Sequence, residues 1–201
     1  MARSTRRIRR ALLRAGLIGA SIPAIAMAGT AGLVNGEFDT DLDGWTQSGP
    51  PFPAWSMLDY QGNGASGSAV LANDSAEGGV RLYPVRQCVH LANPGSYRIE
   101  ADGWLPQDHP GGRLVLSISG RAQADCSGGN NPAAGAFLNS NGSWQHAALT
   151  ITIIAPFNYL DIGLGIEKDA AGGLLTGNVD GVHVVYREAI FADGFEARDQ
   201  P

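Results

Sequence analysis

From about residue 80 onward, apolar and polar positions alternate with a period of two, the spacing that turns one side of a β-strand toward a core and the other toward water. In Gly95 to Trp104, Tyr97, Ile99 and Ala101 fall on one side and Arg98, Glu100, Asp102 and Trp104 on the other. Arg113 to Ser119 repeats the design with Leu114, Leu116 and Ile118 inward. Further runs are Leu149/Ile151/Ile153, Leu160/Ile162/Leu164/Ile166 and Val182/Val184/Tyr186. Over Val80 to Leu91 the same parity predicts Tyr83, Val85, Val89 and Leu91 inward, with Arg86, Cys88 and His90 outward. Gly, Asn, Asp and Pro separate the runs, which is turn chemistry. Gln123 to Asn141, dense in Gly, Asn, Ala and Ser, reads as a loop. The pattern predicts about nine strands and no amphipathic helix in this part of the chain, packed as two antiparallel sheets face to face.

Composition supports that reading. Twenty-eight glycines among 201 residues weigh against long helices, because each interior Gly costs a helix about 1 kcal/mol relative to Ala. The length suits one all-β domain, either a jelly roll or an immunoglobulin-like sandwich, spanning residues 29–188 with a tail at 189–201.

Charge is distributed unevenly. Arg3, Arg6, Arg7, Arg9, Arg10 and Arg14 precede an apolar run from Leu17 to Met27 and the small-residue stretch Ala26-Met27-Ala28. That order is the basic, apolar and cleavage regions of an export signal, cut after Ala28. The run falls short of the roughly 20 residues of a membrane-spanning helix and is interrupted by Gly and Pro. Thr5-Arg6-Arg7 hints at the twin-arginine route, with an ordinary Sec signal the alternative. The expected location is secreted or periplasmic, without membrane attachment after cleavage. Once the six arginines are removed, eight basic residues face nineteen acidic ones, a net charge of −11. Such a chain is repelled by nucleic acid and anionic lipid, which leaves calcium ions and neutral polymers as the better partners.

The export signal gives Cys88 and Cys126 an oxidising setting, where an even count favours a disulfide. The bond would pin the Gln123 to Asn141 loop onto the outer face of a strand, an arrangement useful to function if that face binds something.

Six segments, in order, carry a resemblance: Leu33-Val34-Asn35-Gly36-Glu37-Phe38-Asp39, Asp43-Gly44-Trp45, Gly67 to Leu71, Pro94-Gly95-Ser96-Tyr97, Gly142-Ser143-Trp144-Gln145 and Val179 to Val184. Together they resemble the secreted carbohydrate-binding modules with a galactose-binding-like jelly roll. The resemblance implies a two-sheet antiparallel β-sandwich whose two ends lie side by side, and non-catalytic binding of a polysaccharide or glycan. It also implies a possible structural calcium held by carboxylates from the two ends, which fall here at Asp39 and Asp180. Calcium wants six to eight oxygens. Asp39 stands where the family has glutamate and Gly181 where it has a second aspartate, and both departures shorten or remove a ligand. The alternative is that Asp39 and Asp180 are turn and cap residues.

Sugar recognition stacks an aromatic ring on a pyranose face while polar side chains bond its hydroxyls. By strand parity Trp104 shares the polar face with Arg98, Glu100 and Asp102, and with His90 and Arg121 nearby they form the candidate glycan site. The alternative folds Trp104 over the strand end onto the core. Trp55 and Tyr60 form a second candidate platform, while Trp45 and Trp144 read as structural. His90, His109, His146 and His183 lack metal-ligand spacing and there is no G-x-S-x-G elbow, so no enzyme is expected. The competing functional class is a structural or adhesive surface protein that binds no sugar.

Overall fold

The computed structural model describes residues 32–107, 111–129, 133–139 and 142–187. The expected export signal and the C-terminal tail lie outside the described residues. The first sheet places β1 (Thr46–Gln47), β4 (Arg81–His90), β9 (Tyr159–Lys168), β6 (Gly112–Arg121) and β7 (Ala133–Asn139) side by side in that order. The second places β2 (Ala54–Ser56), β3 (Ser68–Asn73), β10 (Leu175–Arg187), β5 (Gly95–Trp104) and β8 (Trp144–Ile153). Every pairing is antiparallel, and most neighbours are distant in sequence. The molecule is the two-sheet β-sandwich that the alternation predicts.

The inward residues of the two sheets meet in one core. Tyr97, Ile99 and Ala101 of β5 join Leu114, Leu116 and Ile118 of β6, Leu160 to Ile166 of β9, and Val182 and Val184 of β10. Each fully buried Leu, Ile or Val contributes about 1.5–3 kcal/mol of hydrophobic stabilisation before conformational entropy is charged against it.

Three local expectations need correction. Ala133–Asn139, inside the segment read as a loop, is strand β7, paired with β6 from Arg113↔Asn139 to Ser119↔Ala133. Its Ala-Ala-Gly-Ala-Phe-Leu-Asn sequence lacks the alternation by which strands are recognised. Second, the pairing of β4 with β9 shifts register between Leu82 and Val85. Pro84, which has no N–H for the ladder, sits inside the shift, and the irregularity reverses parity so that Tyr83 faces outward. Third, Trp144 does not belong to the core: it is half-buried on the outer face, directly across from Trp104.

The two ends of the domain are joined side by side, as the family resemblance implies. Val182 donates its N–H to the Gly36 carbonyl at 2.9 Å. A β-carbon on Gly36 would lie 2.1 Å from the Val182 carbonyl oxygen, so this approach requires glycine. Glu37 Oε1 lies 3.0 Å from His183 Nε2. Asp180 is completely buried; its Oδ2 accepts the Tyr60 N–H at 3.2 Å and its Oδ1 the Gly181 N–H at 2.7 Å. Burial pushes the Asp180 carboxyl up to about 7, the nearby charges of Asp59 and Glu37 add to this, and the two N–H bonds only partly oppose it. Asp39, by contrast, is exposed. Both oxygens of Asp180 hold backbone donors. Among the described residues no group of three or more His, Cys, Asp or Glu is placed to hold a metal ion.

Cys88 and Cys126 form a disulfide across a sequence separation of 38, and Ala124 to Cys126 is thereby fixed beside the outer face of β4. Replacing both cysteines by serine is expected to lower unfolding free energy by about 3–4 kcal/mol, from the loop length in the chain-entropy treatment. Denaturant titration under oxidising conditions would check this, and an unchanged midpoint would contradict it.

Asp180 makes a second prediction. The folded state holds a proton on Asp180 that the unfolded chain has released, so this group's stabilisation is complete below about pH 4 and is lost as pH rises toward about 7. Asp180→Asn should flatten the fall in melting temperature between those limits, whatever its effect on the absolute value.

Candidate functional site

Both sheets present an outer face with chemistry on it. On the first sheet, the outward positions of the central strand β9 are Asp161, Gly163, Gly165 and Glu167. Beside the glycines lie Ser117 and Val115 of β6, and beyond those Gly135 and Phe137 of β7. Small side chains in register across three strands leave a shallow trough. Tyr83 lies over it: β-carbons built at Gly163 and Gly165 would come within 3.2 and 2.7 Å of its ring. Glycine at these positions lets the aromatic ring rest against the backbone of β9. Two depressions open on either side of the ring, one lined by Arg86, Ser119, Arg121 and Asp161, the other by Arg81, Ala134, Gly135 and Phe137, with Ser117 common to both.

Each end of the trough is closed by a carboxylate gripped by two arginines. Asp161, 5% exposed, bonds Arg86 of β4 and Arg121 of β6, the latter at 3.0 Å. Glu167, 7% exposed, bonds Arg81 of β4 and Arg113 of β6 at 2.5 Å. Burial alone would raise the Glu167 carboxyl, but the hydrogen bonds and charges of Arg113 and Arg81 outweigh it and hold the group below the usual carboxylate range. Phe137 carries the Arg113 guanidinium 4.4 Å and the Arg81 guanidinium 5.1 Å from its ring centre. Past Arg86 and Arg121, a third depression runs to the disulfide and is lined by Asp125, Cys126 and Ser127. The loop pinned by Cys126 thus walls one end of the groove. The face to which sequence parity attached the disulfide is a shaped surface.

The second sheet carries most of the residues singled out from sequence. Arg98, Glu100, Asp102 and Trp104 are half-buried on one face of β5, with Arg98 paired to Glu100. Trp104 lies across from Trp144, Asp102 across from His146, and the Tyr60 ring meets Trp144 edge-on at 6.4 Å. His146 Nδ1 is 3.3 Å from Asp102. His90 and Arg121 are not part of this group: both project from the opposite sheet, His90 against the Tyr159 ring at 5.1 Å and Arg121 in the arginine-lined trough. Trp55 is half-buried and donates its indole N–H to the Phe38 carbonyl at 2.7 Å, while Trp45 is buried in the core. Tyr83, Phe137 and the Arg81, Arg113 and Glu167 cluster were not singled out from sequence. The one local signal was Pro84 within an otherwise regular strand.

No family model matches this sequence, and no curated protein does. Solved structures do share its fold. A CBM61 module in complex with β-1,4-galactotriose superposes with a TM-score of 0.55 at 18% identity, covering 79% of this chain and 100% of that one. A family 22 carbohydrate-binding module of Clostridium thermocellum Xyn10B gives 0.51 at 11% identity over 75% and 89%. The enzymatically active domain of bacteriophage CBA120 tailspike protein 4 gives 0.59 at 13% identity over 79% of this chain, which spans only 22% of the tailspike chain. Of the two sandwich topologies open from sequence, the match selects one: the chain has the jelly-roll β-sandwich fold of the carbohydrate-binding modules.

Proposed function

We propose that this is an exported, non-catalytic glycan-binding protein that takes a polysaccharide chain along the outer groove of the β1-β4-β9-β6-β7 sheet. The observation that carries the reading is the Tyr83 ring resting on the glycines of β9, between depressions lined by serine hydroxyls and arginine donors. An aromatic ring offers a pyranose its apolar surface, and the flanking N–H and O–H groups meet the hydroxyls. The fold shared with modules solved with bound sugars supports the same reading.

The two carboxylates of β9 do not form an acid–base pair suited to glycoside cleavage. Asp161 and Glu167 stand six residues apart on β9, roughly 20 Å at strand rise, whereas paired catalytic carboxyls stand about 5–9.5 Å apart. Each is also engaged by two arginines.

The Trp104, Trp144 and Tyr60 cluster on the opposite sheet is the second reading, because three aromatic rings there share a face with Asp102 and His146. One experiment separates the two: affinity electrophoresis against a polysaccharide panel with Tyr83→Ala and Trp104→Ala. Loss of the ring from the groove is expected to weaken retention by about tenfold, the size of a lost aromatic contact in a binding pocket. If Trp104→Ala abolishes retention and Tyr83→Ala does not, the glycan lies on the second sheet. No retention by any polysaccharide would favour the structural or adhesive protein that sequence held as the competing class.

A further inference from the structure

Of the eight basic residues that follow position 28, Arg81, Arg86 and Arg121 line the groove and Arg113 borders it, bonded to Glu167 and stacked on Phe137. We infer that the groove's ligand is an anionic polysaccharide, one whose sugars bear carboxylate or sulfate groups; the inference rests on the glycan-binding reading above and names its substrate class. Four guanidinium groups face two carboxylates, a surplus of two positive charges over the two clusters, of which Asp125 at the disulfide end offsets one. Asp125, at the disulfide end, is the remaining acidic side chain lining these depressions.

Hydrogen-bond capacity points the same way as charge. A guanidinium has five N–H donors. Arg121 gives its bond to Asp161 through Nη2 and Arg113 its bond to Glu167 through Nη2, and the Nε of each is buried without a partner among the described residues. Arg98 on the opposite sheet likewise makes no hydrogen bond through its buried Nε, so the donors open to a ligand are the terminal N–H groups of the partly exposed groove arginines, whose planar fork is shaped to receive a carboxylate or sulfate edge. The two arginine pairs sit at opposite ends of the β9 face, and the neutral stretch between them carries Tyr83, Ser117 and the two glycines. Such spacing suits a linear polymer with repeated charges better than a single small anion.

The net charge of −11 expected once the six N-terminal arginines are removed does not oppose this, because several of the acidic groups lie away from the groove. Glu37, Glu100, Asp102 and Asp180 gather on the opposite sheet and the strand ends beside it. Nucleic acid shares the anionic chemistry but is a longer-ranged and denser line of charge, which this acidic body would repel.

Affinity electrophoresis of the intact protein in gels containing polygalacturonate, its methyl-esterified form, dextran sulfate or neutral β-1,4-galactan tests the inference. Retention by polygalacturonate or dextran sulfate is expected to weaken by about tenfold or more on raising salt and in the Arg113→Gln/Arg121→Gln double variant. If polygalacturonate is the one bound, methyl esterification should weaken it as much. The stronger of the two polymers identifies carboxylate or sulfate. The esterification contrast and the sulfate arm use the unaltered protein, so they stand even if the variant folds poorly. Equal retention by free and esterified polymer with no stronger retention by dextran sulfate, or retention by neutral galactan alone, overturns the anionic assignment and leaves glycan binding intact. A DNA duplex bound as tightly as the best glycan would also overturn it, as non-specific polyanion contact. Retention by none of these polymers defeats both readings.

Discussion

Strand β9 buries two carboxylates on the outward face of its sheet, and the architecture around them follows from that one demand. Removing a carboxylate from water without partners costs several kcal/mol, so Asp161 and Glu167 each require cations at close range. Those cations come from the strands on either side of β9: Arg86 and Arg81 from β4, Arg121 and Arg113 from β6. The pairs tie three strands together on the side opposite the core. They also bring four arginines to the edges of a surface whose middle is kept low by glycine and serine.

The same arrangement gives the molecule two unlike faces. One carries surplus arginine charge around Tyr83. The other carries carboxylates, two histidines and the facing tryptophans Trp104 and Trp144. A summed charge treats these as one acidic surface and points to neutral polymers. Their separation across the sandwich points instead to an anionic chain on the arginine side. The disulfide belongs to this picture as well, since Cys126 holds the loop that closes the groove at the Asp161 end.

Much of the fold was legible in the sequence because a half-buried strand must alternate. Tyr97, Ile99 and Ala101 are buried and Arg98, Glu100, Asp102 and Trp104 face outward as parity requires. The failures have separate causes. Tyr83 was assigned inward because parity assumes an unbroken ladder, and the register shift at Pro84 breaks it. Strand β7 was missed because alanine and glycine carry no hydrophobic signal. His90 and Arg121 were grouped with Trp104 because outwardness can be read from a strand but sheet membership cannot; that depends on pairings between residues far apart in sequence. The arginine triads were hidden for the same reason, since Arg81, Arg113 and Glu167 meet only after three strands align. Glu37, within the opening family pattern, is a carboxylate that reaches the last strand through His183.

The central claim is that the ligand lies on the trough over β9. Backbone amide chemical-shift mapping during titration with an oligogalacturonate tests it most directly. The account expects the largest perturbations at Tyr83, Ser117, Gly163 and Gly165, with side-chain shifts at the four flanking arginines. Perturbations centred on Trp104, Asp102 and Trp144, with the β9 glycines unmoved, would contradict it.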